Sequence, residues 1–234
     1  VVEGAEHIVG DMLKLMTSLS QELILSLTRD MPIVWHLGAN LSFHDRDNDS
    51  VWRDNVEGAK EGTAFANAVA SKYIFMSTAY VCGAPPRGEI PETFPDMPAH
   101  RNVYERSKWE GEKIVRAEST VPWVIVRPSI VIGNGDPKNA TGCTFGYYRY
   151  VYMFYVFHQY ISNLGKQSPT HPLLRFLGAE KDSDGVITFA RGIIPYPKGS
   201  VVDLVSVDYV VDAMLALATK ENAFEKNLTI HLTH

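Results

Sequence analysis

Short runs of apolar residues alternate with longer amphipathic stretches along much of the chain. Three runs rich in Val, Ile or Phe are bounded by Gly or Pro, which is typical of fully buried strands: "PIVWHLG" (32–38), "KYIFMST" (72–78) and "PWVIVRPSIVIG" (122–133). The stretches between them, 51–70 and 102–118, have apolar residues at helical spacing. This alternation predicts an α/β fold, in which helices cover both faces of a doubly wound parallel sheet.

The same rhythm continues towards both ends of the sequence. The segment "HIVGD" (7–11) has the pattern of a strand that ends in an acid, and "ELILSLTRD" (22–30) has the pattern of the following helix. Near the other end, "SVVDLVSVD" is predicted as a strand, "YVVDAMLALATK" as a helix and "NLTIHLTH" as a last strand.

The alternation of predicted strands and helices stops between residues 134 and 200. In this region a loop-like stretch precedes a predicted helix, 145–161, that is rich in aromatic residues. An insertion near the carboxyl edge of an α/β sheet is typical of a substrate site. We therefore predict a nucleotide-binding core over residues 1–135, to which 201–219 return, and a substrate-binding region over 136–200 and 220–234. The aromatic helix itself is explained by core packing, by a subunit contact or by an acyl or aromatic substrate pocket.

Composition narrows the range of partners. The net charge is −5 with a pI near 5.9 and no basic block, so nucleic acid is not an expected partner. Two cysteines and no uninterrupted apolar stretch long enough to span a bilayer favour a cytoplasmic setting without a membrane span. His231 and His234 are three residues apart in a predicted strand and point to opposite faces, so no metal site is predicted.

Tyr104 and Lys108 are the first candidates for chemistry. The pattern Tyr-x-x-x-Lys is weak alone, because with eleven tyrosines about half a match is expected by chance. In a helix, however, positions i and i+4 project from one face, so both side chains reach the same small volume. An ammonium there stabilises a phenolate, and we expect Lys108 to lower the pKa of Tyr104.

Three other segments end at the sheet edge where α/β proteins bind ligands. "FMSTAYVCG" (75–83) carries hydroxyls that hold a carbonyl oxygen or satisfy the turn backbone. In "VWHLGAN" (34–40), Gly38 and Ala39 permit a ligand to approach the backbone closely. In "VIVRPSIVIG" (124–133), Pro128 ends a buried strand.

These segments, taken in order and followed by "LVSVDYVVDA", resemble the extended short-chain dehydrogenase/reductase family over most of residues 7–219. Within that family, "GDMLKLMTSLS", "IVWHLGANLSF" and "DNVEGAKEG" look most like the branch of fatty acyl-CoA reductases, male-sterility-type proteins and thioester reductases. The resemblance implies a Rossmann-like fold and an NAD(P)-dependent oxidoreductase. It further implies that Tyr104 is the catalytic tyrosine, Lys108 its partner, and Thr78, rather than Ser77, the carbonyl-orienting hydroxyl.

The resemblance also assigns cofactor contacts and partners. Asp11 matches an acid beside adenine, Tyr104 and Lys108 lie at the nicotinamide ribose, and Asn55 matches a structural asparagine or is a helix-surface amide. The implied partners are NADP, with NAD not excluded, a small-molecule or carrier-bound acyl substrate, and a second copy in a possible homodimer. The remaining matched positions are Leu37, Gly38 and Ala39 beside the adenosine and phosphates, and Pro128, Ser129 and Ile130 beside the nicotinamide.

One family signal is missing, because no glycine-rich turn precedes "HIVGD". We therefore expect the sequence to be a piece of a longer domain, and the choice between NAD and NADP is not readable from it. The branch favours reduction of an acyl thioester to an aldehyde or alcohol. The alternatives are an epimerase, dehydrogenase or ketone reductase acting on a nucleotide sugar or a steroid-like or flavonoid-like substrate, and a non-catalytic dinucleotide-binding relative.

Overall fold

The computed structural model of the chain describes residues 8–83, 89–133, 146–168, 170–181, 183, 187–189 and 202–233. Within these ranges, the longer elements follow the predicted alternation of strands and helices. The strands are β1 (Ile33–His36), β2 (Lys72–Met76), β3 (Trp123–Pro128), β4 (Ile130–Ile132), β5 (Ala179–Lys181), β6 (Ile187–Phe189), β7 (Leu204–Ser206) and β8 (Thr229–Leu232). The α-helices are α1 (Leu15–Ser18), α2 (Gln21–Asp30), α3 (Asn48–Val69), α4 (Val103–Glu118), α5 (Tyr147–Gln167), α6 (Pro172–Leu177), α7 (Val207–Ala218) and α8 (Glu221–Glu225).

The central sheet has the order β1-β2-β3-β8, and all of its neighbouring strands are parallel. All six residues of β3 are buried, as expected for a strand covered on both faces. This arrangement confirms the predicted α/β fold with a Rossmann-like parallel sheet. The short strands β4 and β7 pair with each other, and β5 pairs with β6 in antiparallel fashion.

The alternating side chains of the sheet supply two separate cores. Tyr73, Phe75 and Ile125 pack in one cluster with apolar residues of α3 and α4. Ile74 and Val124, on the opposite face, belong to a second cluster with residues of α7 and α8. The period of two along each strand therefore explains why helices are needed on both sides.

Local capping fixes the helix that positions the candidate site. The Asn102 side chain accepts a hydrogen bond from the Glu105 backbone N–H at 2.9 Å and so caps α4. The Glu105 carboxylate in turn accepts from the Arg101 backbone N–H at 3.0 Å. Two otherwise unpaired donors are satisfied in this way, and the start of α4 is fixed one residue before Tyr104.

The strand predicted at 7–11 is wrong over its described part. Residues 8–11 form no strand, and Asp11 instead caps a single turn of 3-10 helix over Met12–Lys14. Its carboxylate accepts from the Leu13 backbone N–H at 2.9 Å. This local hydrogen bond offers the backbone an alternative to strand pairing.

The structure divides into two compact units, residues 1–131 with 204–234, and residues 132–203. The segment 220–234, which we had grouped with the substrate-binding region, contributes β8 to the central sheet beside β3. Which part binds substrate stays a prediction.

In the second unit, Ile161, Leu174 and Leu177 form a small core. The aromatic helix α5 is unusually exposed: Tyr150 is 66% and Tyr160 58% accessible. Among the described residues, no helix is both long and apolar enough to cross a bilayer.

Candidate active site

The carboxyl ends of three parallel strands bring the predicted site segments to one edge of the sheet. In the register, His36 at the end of β1 pairs with Phe75, and Met76 at the end of β2 pairs with Val126 of β3. The segments that follow these strands, residues 37–39, 77–78 and 129–130, therefore leave the sheet on the same side.

Helix α4 presents Tyr104 and Lys108 to the end of β2. The Lys108 Nζ donates to the Met76 carbonyl oxygen at 2.6 Å. The Thr78 hydroxyl, two residues further along, lies close enough to the Tyr104 phenol to lower its pKa. The structure thus brings Thr78, Tyr104 and Lys108 together, as the sequence predicted, although their catalytic roles stay predictions.

The expected lowering of the Tyr104 pKa is wrong. Burial is the largest influence and raises the pKa of Tyr104 to about 12, while the neighbouring Thr78 hydroxyl has the opposite effect. The Tyr104 side chain is 8% exposed. A phenol in this environment stays protonated at neutral pH and remains a hydrogen-bond and proton donor.

The Lys108 ammonium is also buried, with 4% of its surface exposed. Burial lowers the pKa of Lys108 to about 8, and the negative charge of Glu112 acts in the opposite direction. The Nζ atom lies 4.6 Å from the centre of the Phe75 ring, a cation–π distance. The carbonyl, the ring and the carboxylate keep a charged lysine in this apolar place.

The two hydroxyls at the end of β2 have different partners. The Ser77 Oγ donates to the Glu112 Oε1 at 2.6 Å and is 3% exposed. The Thr78 Oγ1 accepts from the Tyr80 backbone N–H at 3.3 Å and lies beside the Tyr104 phenol. Because Ser77 faces Glu112 and Thr78 faces the phenol, the geometry favours Thr78 as the hydroxyl beside a reacting carbonyl.

An aromatic side chain covers part of the site. The Phe43 ring meets the Tyr104 ring edge to face, with 5.2 Å between centroids. Phe43 is itself 53% exposed, whereas Tyr104 and Thr78 are buried. Phe43 therefore lies between bulk solvent and the phenol.

Asn55 is buried rather than on a helix surface. Its Oδ1 accepts from the Asn40 backbone N–H at 2.7 Å, and its Nδ2 donates to the Asn40 carbonyl oxygen at 3.0 Å. The Nδ2 also donates to the Ser107 Oγ at 2.8 Å, and Ser107 donates to the Tyr104 carbonyl oxygen at 2.8 Å. One amide thus ties the loop after β1 to the first turn of α4.

The predicted adenosine loop is open to a ligand. Leu37 is 55% exposed, and a Cβ added to Gly38 would meet nothing within 4 Å. His36, which precedes this loop, is buried, and its Nδ1 is hydrogen-bonded to the Tyr73 hydroxyl at 3.1 Å. Burial is the main reason why the pKa of His36 falls to about 4, so the ring is neutral at pH 7. Sequence reasoning gave His36 no role, although it ends a strand just before the loop.

The other predicted cofactor positions have mixed surroundings. Ala39 is exposed, Pro128 is buried at the end of β3, and Ile130 is half-buried. Ser129 is 8% exposed, and its backbone N–H donates to the Leu232 carbonyl oxygen at 3.1 Å. Asp11 is exposed and caps the turn described above. Whether any of them touches a cofactor stays a prediction.

A buried ion pair beside the site was missed by sequence reasoning. Arg127 and Glu112 are both fully buried, and Arg127 donates from Nε and Nη2 to the two carboxylate oxygens at 2.7 Å each. The available signal was an arginine inside the apolar run "VIVRP", since an unpaired charge is not tolerated in a buried strand.

Comparison with known proteins identifies the family of the chain. The profile of a NAD-binding protein family described as "Male sterility protein" matches residues 2–173. The chain belongs to the male sterility protein family. The family resemblance seen in the sequence is thereby confirmed, and the male sterility family is one of extended short-chain dehydrogenase/reductase proteins that bind NAD or NADP. No curated protein matched the chain.

Solved structures similar to this male sterility family member share its fold. The terminal R domain of the myxalamid PKS-NRPS pathway is 22% identical with a TM-score of 0.65, and the match covers 96% of this chain and 48% of that one. The Bordetella bronchiseptica enzyme WbmG, solved with NAD and UDP, is 19% identical over 99% of this chain and 58% of its own, with a TM-score of 0.57. The Bacillus anthracis dTDP-4-dehydrorhamnose reductase, solved with NADP, is 19% identical over 90% and 61%, with a TM-score of 0.52. The chain thus spans about half to two thirds of the length of these structures.

Proposed function

We propose that the protein reduces an acyl thioester, bound to coenzyme A or to a carrier protein, to an aldehyde or alcohol with NADPH. The observation that carries this proposal is the approach of the Thr78 hydroxyl to the Tyr104 phenol at the carboxyl end of β2, with Lys108 one helical turn behind. Two hydroxyl groups that meet at one point are suited to hold one carbonyl oxygen. The male sterility family and the fold similarity to a terminal R domain support the choice of a thioester.

The residues fit a nicotinamide dinucleotide at this edge. Gly38 leaves open space beside the backbone for the adenosine part, and Lys108 and Tyr104 would lie at the nicotinamide ribose. When bound, NADPH supplies the hydride that adds to the thioester carbonyl carbon. Thr78 would donate a hydrogen bond to the carbonyl oxygen, and Tyr104 would transfer its proton to that oxygen as negative charge develops there.

The two pKa values are consistent with these roles. With a pKa of about 12, Tyr104 still carries its proton at pH 7 and has a proton to give. With a pKa of about 8, Lys108 is mostly charged at pH 7, and its positive charge favours the phenolate left after the transfer. The hemithioacetal then breaks its carbon–sulfur bond, which releases the thiol and the aldehyde.

An acyl chain needs an apolar surface. In the second unit, one face of α5 presents an exposed apolar surface made of Tyr152, Met153, Val156, Phe157 and Tyr160. We propose that the region 136–200, to which α5 belongs, binds the acyl part of the substrate. A homodimer remains a further proposal from the family resemblance.

The decisive experiment measures NADPH oxidation by the full-length protein with a panel of acyl-CoA and carrier-bound thioesters. Tyr104→Phe should lower kcat by about 10²- to 10⁴-fold because it removes the proton donor. Tyr209→Phe, an exposed tyrosine on α7, is the matched control and should leave kcat unchanged. NADPH binding, followed by fluorescence, should be retained in both variants.

Two results would contradict the proposal. The first is a protein that binds NADPH but oxidises it with no thioester in the panel. The second is a Tyr104→Phe variant as active as the control. Conversion of UDP-sugars in a parallel assay would favour the epimerase or dehydrogenase alternative instead.

A further inference from the structure

Three residues on one face of α4 contact three consecutive residues at the end of β2, one each. Tyr104, Lys108 and Glu112 are spaced by four positions and so lie along one face of the helix. The Tyr104 phenol lies beside the Thr78 hydroxyl, and the Lys108 Nζ donates to the Met76 carbonyl oxygen. The Glu112 carboxylate bonds to the Ser77 hydroxyl between them.

The third of these contacts, between Glu112 and Ser77, is the most firmly held. Arg127 donates two hydrogen bonds of 2.7 Å to the Glu112 carboxylate, one to each oxygen, and so fixes its orientation. Arg127 also donates to the Thr93 carbonyl oxygen at 3.1 Å and to the His231 Nε2 at 3.1 Å. Both members of the ion pair are fully buried, where hydrogen bonds to charged groups are strong.

Ser77 is fixed on its backbone as well as on its side chain. Its backbone N–H donates to the Val126 carbonyl oxygen of β3 at 2.7 Å, one residue before Arg127. Its side chain is tied to α4 through Glu112. The next residue, Thr78, lies beyond the end of β2. The direction of its hydroxyl therefore depends on the position of Ser77.

We propose that Ser77, Glu112 and Arg127 act as positioning residues that fix α4 against the end of β2, so that the Thr78 and Tyr104 hydroxyls meet on one carbonyl oxygen. This inference rests on the proposed function, because it assigns a purpose to the alignment of the two hydroxyls. None of the three residues touches the reacting atoms.

The test uses Ser77→Ala in the full-length protein. This change removes the bond to Glu112 and leaves the Glu112–Arg127 ion pair intact, whereas removal of either charge risks unfolding the protein. We expect kcat with the thioester to fall by about 10- to 100-fold, the effect of a small misplacement of reacting groups. The KM for thioester and the affinity for NADPH should not change.

Two further variants separate positioning from a general structural role. Ser77→Thr restores the hydroxyl and should recover most of kcat. Ser119→Ala is the matched control: it removes one side-chain bond of 2.8 Å, to the Val121 carbonyl oxygen just before β3 begins, and should behave like the wild type. A loss in Ser77→Ala that Ser77→Thr does not recover would overturn the proposal.

Crystal structures of the same variants need no substrate. In Ser77→Ala the distance between the Thr78 Oγ1 and the Tyr104 phenol oxygen should increase, and in Ser119→Ala it should not change. An unchanged distance in Ser77→Ala would overturn the positioning role. If the wild-type protein turns over no thioester, the proposed function fails, and the crystal structures still decide whether Ser77 positions Thr78.

Discussion

The buried ion pair between Arg127 and Glu112 provides a sharp prediction about stability. Replacing Arg127 by Met removes two hydrogen bonds of 2.7 Å to the carboxylate and one of 3.1 Å to the Thr93 carbonyl oxygen. The Glu112 carboxylate, which is fully buried, would keep Ser77 at 2.6 Å and a more distant contact with Arg116 at 3.7 Å. An uncompensated buried charge of this kind costs about 3–5 kcal/mol in the free energy of unfolding.

The double variant Arg127→Met with Glu112→Leu tests whether the loss of stability in Arg127→Met comes from leaving the Glu112 carboxylate without its ion-pair partner. Because the double variant leaves neither Arg127 nor Glu112 buried without the other, its loss of stability should be smaller than the sum of the two single losses by about 2 kcal/mol or more. Urea unfolding followed by tryptophan fluorescence is the assay, since Trp109 and Trp123 are buried in the same unit. Thermal unfolding of Arg127→Met should show a midpoint lowered by roughly 6–20 °C.

The surface pair Arg53–Asp54 is the control for this series. Their side chains are 62% and 32% exposed, and Arg53→Met should change stability by less than about 1 kcal/mol. If Arg127→Met proves as mild as Arg53→Met, or if the single losses simply add in the double variant, the reasoning from burial is refuted.

Three further predictions concern stability. A Cβ at Gly62 would lie 2.2 Å from the His36 Nδ1, so Gly62→Ala should lower the free energy of unfolding by about 1–3 kcal/mol. On the same helix, a Cβ at Gly58 would meet nothing within 4 Å, so Gly58→Ala should raise the free energy of unfolding by about 0.5–1 kcal/mol. Urea unfolding measures both changes. The pKa of Lys108 is lowered from 10.5 to about 8, so the unfolded state binds more protons between these values. As the pH rises from about 8 to 10.5, the free energy of unfolding of the wild type should therefore increase by roughly 3 kcal/mol relative to that of Lys108→Met. Parallel plots of unfolding free energy against pH for the two proteins would contradict a pKa of Lys108 lowered by burial. The pKa of His36 is lowered from 6.5 to about 4, so stability should fall as pH drops through that window, and less so in His36→Gln, when unfolding midpoints are compared.

The sequence by itself determined the elements and the edge at which they meet. Apolar runs bounded by Gly or Pro predicted β1, β2 and β3, because a strand covered on both faces is made mostly of apolar residues. The spacing of four placed Tyr104 and Lys108 on one helix face, and the hydroxyls after β2 fell at the same sheet edge. The position of each strand and helix, and the face on which a side chain lies, depend on neighbouring residues and on the spacing of apolar residues. The sequence pattern alone therefore predicts them.

Tertiary structure decided what surrounds each group. The pKa of Tyr104 is raised rather than lowered because burial, which no spacing encodes, outweighs the influence of the Thr78 hydroxyl. Asp11 caps a turn instead of ending a strand, and Glu112 meets Ser77, 35 residues away in the chain. Burial and partner choice arise from contacts between segments that are distant in sequence, so they exist only once the sheet and its helices have packed.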